Sequence, residues 1–350
     1  MALLRFILFP FVPVYRWIIS LRNMMFNKGL FKTNAVNAKV VSVGNIVMGG
    51  SGKTPAVINI TSILKSAGLN VGVLSRGYAR KSKGFKLVSD GKDIKCNVTE
   101  CGDEIILTAM ECKVPAAACE SRVEGANKLI DSTGVKAIVL DDAFQHRWIK
   151  RDLDILIFDQ MFLNKPGGMD QNLIPTGLMR EPFSSVNRAD AIIINRKFSE
   201  FSSLPSVLLP YFEGKQVFNG YYKIVGIFDV KSHKFYDVNE FKGQKSLVVS
   251  GIARPASFIN ALKKCNIDVT NQLIFKDHKH YHDKEIQLIR KQFYMTNSHS
   301  VLTTAKDAVK LTEFSKELDD IDIYYLKIEL ALDNNDEFEK FILNKLGVSN

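Results

Sequence analysis

The sequence predicts an α/β protein: a parallel-sheet domain, then a second, smaller α/β domain, with an N-terminal helix that associates with a membrane. Three observations carry this prediction. Apolar runs of strand length alternate with helix-periodic segments over most of the 350 residues. A glycine-rich turn, Gly49-Gly50-Ser51-Gly52-Lys53-Thr54, separates the first apolar strand from the first helical segment. The opening 26 residues are rich in Leu, Ile, Phe and Trp and carry arginines without a single acid.

Charge singles out that N-terminal region. Residues 1–89 hold 13 basic and no acidic residues, and the remainder holds 34 against 37, so the whole surplus of +10 lies in the first quarter. Such a field favours anionic partners. The uninterrupted apolar run Phe6 to Tyr15 spans ten residues, where a membrane span needs ~20. Pro10 and Pro13 are expected to break a helix there. With no small-residue cleavage site following, an interfacial anchor fits best, its Arg5, Arg16, Arg22, Lys28 and Lys32 meeting anionic lipid. A helix packed on the protein's own core is the alternative. Nucleic acid is disfavoured, because the basic surplus adjoins an apolar anchor and not an aromatic-basic platform.

The elements then follow in order. Lys39 to Gly44 reads as a buried strand, Ala56 to Ala67 as a helix ending at Gly68, and Asn70 to Ser75 as a second strand. After the basic loop RGYARKSKG come a helix from Gly102 to Met110, a strand-like Lys113 to Ala118, a helix Arg122 to Ser132 and the apolar run Val135 to Leu140. Asp154 to Phe158 and Ala191 to Asn195 are further strands, and Tyr221 to Phe235 alternates as a hairpin. A second α/β unit runs from the strand Ser246 to Ser250 to a last helix, Asp336 to Leu346. The expected division is 1–30 anchor, 31–215 first domain, 216–240 connector and 241–350 second domain. The five cysteines form no CxxC pair and read as reduced thiols.

The glycine turn has the chemistry of a phosphate loop, which makes the first domain P-loop NTPase-like. Glycines let backbone N–H groups curl around a phosphate, and the helix N-terminus adds partial positive charge. Lys53 would reach the β- and γ-phosphates and the Thr54 hydroxyl would ligate Mg²⁺. Val47 stands where the usual pattern has its first glycine. Met48 replaces the extra lysine of dimeric partitioning ATPases, and Asn164-Lys165-Pro166-Gly167 lacks the aspartate that reads guanine, so ATP is the expected nucleotide.

Asp141-Asp142 ends an apolar strand, where an aspartate supporting Mg²⁺ belongs. Gln145 and His146 follow within reach. Asp103 and Glu104 open a helix, a place where acids commonly serve only as dipole partners. Asp277-His278 supplies a histidine beside a carboxylate, a pair that can tune proton removal from a hydroxyl. His280 and His282 read as polar loop residues.

Together these residues resemble the tetraacyldisaccharide 4′-kinase family. The matching pieces are Val43-Gly44-Asn45, Gly49 to Pro55, Ser75-Arg76-Gly77-Tyr78, Gly102-Asp103-Glu104, Asp141-Asp142 with Gln145-His146, Pro175-Thr176-Gly177 with Arg180-Glu181, Gly251-Ile252, Asp277-His278 and Lys306-Asp307-Ala308-Val309-Lys310. Ala79 and Ala143 stand where the family usually has glycine, and Ala305 where it commonly has glutamate.

The resemblance implies transfer of the ATP γ-phosphate to the 4′-hydroxyl of an acylated glucosamine disaccharide 1-phosphate, giving lipid IV-A at the cytoplasmic face of the inner membrane. It implies catalytic roles for Asp103 as base, His278 as its partner, Lys53 and Asp142. It places nucleotide on Val47, Met48, Gly49, Gly50, Ser51, Gly52, Lys53, Thr54, Gln145, Arg180 and Glu181, and Mg²⁺ on Thr54, Asp141 and Glu104. The acceptor would meet Arg76, Tyr78, Asn45 and His146. A membrane-recruited, nucleotide-switched ATPase is the alternative.

Overall fold

The computed structural model describes residue 5, residues 7–277 and residues 279–348. His278 lies outside the described residues. A helix, α1 (Phe11–Asn27), comes first. Pro10 is its N-cap and Pro13 falls in its first turn, where a missing N–H breaks no bond. Ahead of α1 the helical residues Arg5, Ile7 and Leu8 give way to a turn at Phe9 and Pro10, so the helix is interrupted at Pro10 as expected, whereas Pro13 is accommodated. Residues of α1 both dock and remain outside. Tyr15 donates to the Arg180 carbonyl at 2.9 Å, Arg22 to the Gln145 carbonyl, and Asn23 to Glu181 at 3.0 Å. Phe26 is buried edge-on against Phe31 and Trp148. Phe11, Val14, Trp17 and Ile18 face outward, Trp17 being 65% exposed. Among the described residues no helix is long and apolar enough to cross a membrane.

The centre of the molecule is one continuous 13-stranded sheet. Its first half contains β1 (Lys39–Gly44), β2 (Val71–Ser75), β3 (Lys86–Asp90), β4 (Pro115–Ala118), β5 (Ala137–Asp141), β6 (Leu153–Asp159) and β7 (Ala191–Asn195). These lie in the order β7-β6-β1-β5-β2-β4-β3, parallel except for β3. β1, β2 and β5 are buried along nearly their whole lengths, which accounts for their continuous apolar runs. β8 (Gln216–Asp229) pairs in parallel with β7 through Gln216–Gly220 and antiparallel with β13 (Ile323–Leu332) through the rest. β9 (Phe235–Tyr236) folds back on β8 as a short hairpin. Beyond β13 lie β12 (Ser300–Thr304), β10 (Lys245–Ser250) and β11 (Asp268–Ile274), all parallel. One sheet thus joins both halves.

Helices α2 (Lys53–Ser66), α3 (Asp103–Cys112), α4 (Arg122–Thr133), α5 (Pro255–Lys264), α6 (Asp283–Met295), α7 (Ala305–Leu311) and α8 (Asn335–Leu346) cover its faces. α8 returns to the first half, its Phe338, Ile342, Leu343 and Leu346 sharing a core with Val41 and Val43. The thiol reading also needs correction: Cys96 and Cys101 are joined as a disulfide across the helical turn Val98–Cys101, and Cys112, Cys119 and Cys265 are free.

Candidate active site

Parallel strands bring their carboxyl ends to one edge, and ligands bind in the crevice outside those ends. Here that edge carries Gly44 of β1, Ser75 of β2, Asp141 of β5, Asp159 of β6 and Asn195 of β7. A cleft of about 1160 Å³ opens there. Met48 to Pro55, Arg76, Tyr78, Glu104, Asp141, Asp142, Gln145, His146 and Arg180 line it, as do Tyr15 and Arg22 from α1.

The phosphate loop has the predicted strand-turn-helix setting, with Gly52 as N-cap of α2 and Pro55 in its first turn. Gly52 has φ +101°, and a Cβ there would meet the Asn195 amide at 2.4 Å and the Tyr222 hydroxyl at 2.6 Å, so only glycine fits. Side chains that sequence reasoning missed fasten the loop. Lys197 donates to the Gly50 carbonyl at 2.8 Å and to Asp159 at 2.6 Å, and Asn195 donates to the Ser51 carbonyl at 3.0 Å. Arg254, just before α5, also bonds Asp159. The available signal was a polar residue closing each of the apolar strands LDILIFD and AIIIN.

Lys53 projects into the cleft, 3.8 Å from Asp142. Asp142, at φ +46°, is a non-glycine residue in the left-handed region, and Arg180 grips its carboxylate at 2.9 and 3.0 Å. Asp141 is buried. Burial, then Glu104 and Asp142, push its carboxyl up to about 7. Its Oδ1 is buried without a hydrogen-bond partner. His146 is pushed down to about 4 by burial and then by Arg122, Arg151, Arg22 and Arg76.

The opposite wall comes from the second half. Lys306 of α7 donates to Glu104 at 2.8 Å; burial opposes its charge, but Glu104 and Asp103 win and raise it to about 12. Asp103, next in sequence to the cleft-lining Glu104, is 4% exposed, with Lys310 at 3.3 Å. Gly102, at φ +96°, brings this corner against the Tyr78 carbonyl, 3.0 Å from where a Cβ would sit. Asp277 lines the cleft; His280 bonds the Ala79 carbonyl at 3.2 Å, and His282 caps α6.

Three of the expected ligand contacts have their side chains turned away from the cleft. Asn45 is buried behind the loop, its Oδ1 taken by the Val47 N–H and its carbonyl by Gln145. Val47 is buried and bridges to Met179. Glu181 is fully buried and committed to Arg188 at 2.9 and 3.1 Å and to Asn23. These three support the site from behind and do not line the cleft.

A glycine loop at the head of a helix, with its lysine beside an acidic pair at the end of the neighbouring strand, defines a P-loop phosphotransferase. Residues 4–347 match the family model described as LpxK, tetraacyldisaccharide-1-P 4′-kinase, and the chain belongs to that family. It is 36% identical to a tetraacyldisaccharide 4′-kinase of Halothermothrix orenii, over 93% of this chain and 89% of the relative, and 34% identical to one of Desulfatibacillum aliphaticivorans, over 96% and 91%. The crystal structure of LpxK from Aquifex aeolicus in complex with ATP superposes with a TM-score of 0.81 at 30% identity, covering 98% of this chain and 99% of that one.

Proposed function

We infer that the chain is an ATP-dependent kinase that moves the γ-phosphate of ATP to the 4′-hydroxyl of tetraacyldisaccharide 1-phosphate, forming lipid IV-A. The observation that carries this is the single cleft that joins the phosphate loop to α1, so nucleotide and an amphipathic acceptor share one space. The backbone amides of Gly49 to Gly52 and the Lys53 ammonium hold the triphosphate, and Arg180 steadies Asp142 beside it. Asp103 removes the hydroxyl proton with His278 as its partner. Arg76, Tyr78 and His146 meet the acceptor, the neutral imidazole of His146 avoiding a further charge among the arginines.

The residues fit Mg²⁺. Asp141 offers an orphaned buried oxygen, and its carboxyl is raised by burial first and then by Glu104 and Asp142, a crowding of acids that a cation relieves. No cluster of three or more His, Cys, Asp and Glu side chains at metal-binding spacing occurs among the described residues. That suits an ion that takes most of its ligands from phosphate oxygens and water. Thr54, Asp141 and Glu104 would hold it; when bound, it offsets charge on the phosphate oxygens.

The outward apolar face of α1, flanked by exposed Arg16, Lys28 and Lys32, lies on the anionic cytoplasmic face of the inner membrane. Residues 216–240 serve as the connector, in which β8 pairs with strands of both halves of the sheet.

The test is direct: incubate the full chain with labelled ATP and the acylated disaccharide 1-phosphate in mixed micelles. A labelled lipid is expected. ATP hydrolysis without a labelled lipid would sink the reading and favour a nucleotide-switched ATPase.

A further inference from the structure

We propose that Lys310 is a positioning residue for Asp103, delivered from the second half of the chain; this rests on the reading of Asp103 as the base. α7 carries Lys306 and Lys310 four residues apart, hence on one face of the helix. That face meets two consecutive acids in the first turn of α3: Lys306 bonds Glu104 at 2.8 Å, and Lys310 stands 3.3 Å from Asp103 Oδ2. The two links lie side by side but differ in setting. Glu104 lines the cleft, whereas Lys310 and Asp103 are enclosed, their side chains 4% and 5% exposed.

What holds Lys310 is more constrained than a simple ion pair. Its ammonium also donates to Asp307 at 3.0 Å, and Asp307 is fully buried. Asp307 accepts in addition from the Gly251 N–H at 2.9 Å, the Thr304 hydroxyl at 2.8 Å and the Tyr281 hydroxyl at 3.3 Å. Burial and the adjoining Asp307 raise the Tyr281 phenol, which keeps it a donor. These contacts come from the end of β10, the end of β12, α7 and the segment before α6. The ammonium is therefore fixed to the frame of the second half, while the carboxylate it faces belongs to the first.

An apolar side chain commonly replaces a buried ion pair without loss of stability, so burial of this lysine is not explained by folding alone. Engaging Oδ2 fixes the plane of the Asp103 carboxylate and so the direction from which it accepts a proton. The base is then correctly aimed only while α7 rests on α3. Asp103 would be as much a reporter of closure as a proton acceptor.

The experiment compares Lys310→Met, Lys310→Arg, Asp103→Asn and the double variant Lys310→Met/Asp103→Asn in the full chain. It measures kcat, KM for ATP and thermal midpoint. Misaiming a base costs about 10²-fold, so Lys310→Met should lower kcat about 10²-fold with KM for ATP within about 3-fold of wild type. Lys310→Arg should recover to within about 10-fold of wild type. The double variant should be no slower than Asp103→Asn alone, because Lys310 acts through that carboxylate. Unchanged kcat in Lys310→Met, or multiplicative losses in the double variant, overturns the positioning role. Near-normal turnover of Asp103→Asn instead removes the base reading itself. If Lys310→Met does not fold, Tyr281→Phe, which loosens Asp307 without burying a charge, decides: kcat should fall about 3-fold or more at constant KM, and no change overturns the proposal.

Discussion

The phosphate loop is a run of consecutive residues whose binding groups are backbone amides, whereas the wall facing it is made of side chains far apart in sequence. Glu104 and Lys306, 202 residues apart, illustrate the second kind, as do Asp103 and Lys310. The first wall is held within the first half of the chain, where β6 and β7 bring Asp159, Asn195 and Lys197 to the loop. The second exists only where the two halves of the sheet meet. Nucleotide binding should therefore be robust to changes in the second half, and catalysis should not.

The strongest way to break that contrast is Lys53→Ala. It should lower phosphoryl transfer about 10³-fold with the fold intact, checked by labelled-lipid formation and a thermal melt. Lys306→Met tests the other wall: kcat should fall about 10-fold while KM for ATP stays nearly constant, measured by steady-state kinetics. Were KM to rise as much as kcat falls, the two walls would not be separable.

A smaller effect concerns pH. His146 has a folded pKa of about 4 against an ordinary 6.5. As pH falls from about 6.5 to 4, the unfolded chain takes up a proton that the folded site refuses, so stability drops. His146→Gln should show a shallower loss of thermal midpoint over this interval, and equal slopes would count against a histidine held neutral by burial and then by the surrounding arginines. The smallest effect is Ala79→Gly. Ala79 sits at φ +59°, the left-handed conformation that explains why its family prefers glycine there. The change should stabilise by about 0.5 kcal/mol in chemical denaturation. Ala143, by contrast, is absent from the left-handed region and carries no such strain.

Legibility in the sequence followed the same division. The loop, its strand and its helix were readable because Lys39 to Ala67 is one local unit with a glycine requirement. Asp141-Asp142 was readable as acids ending an apolar run. Lys197, Asn195 and Asp159 were not, because their contact with the loop depends on β6 and β7 lying next to β1, an order that no local pattern encodes. β3 and β11 escaped for another reason: as edge strands they are only partly buried, so their sequences lack the apolar continuity of β1 or β5. Asn45, Val47 and Glu181 were assigned to ligand by the family resemblance. Adjacency along the chain does not say which way a side chain points, and Glu181 points at Arg188.

The docking of α1 has an experimental consequence. Because Tyr15 holds the carbonyl of Arg180 and Arg22 that of Gln145, deleting the helix to obtain a more tractable enzyme would dismantle part of the cleft along with any lipid contact. Loss of turnover in such a truncation could not be attributed to bilayer detachment. Polar replacements at Phe11, Val14, Trp17 and Ile18 alone leave the inward face intact, and they are the changes that separate residence at a surface from chemistry within it.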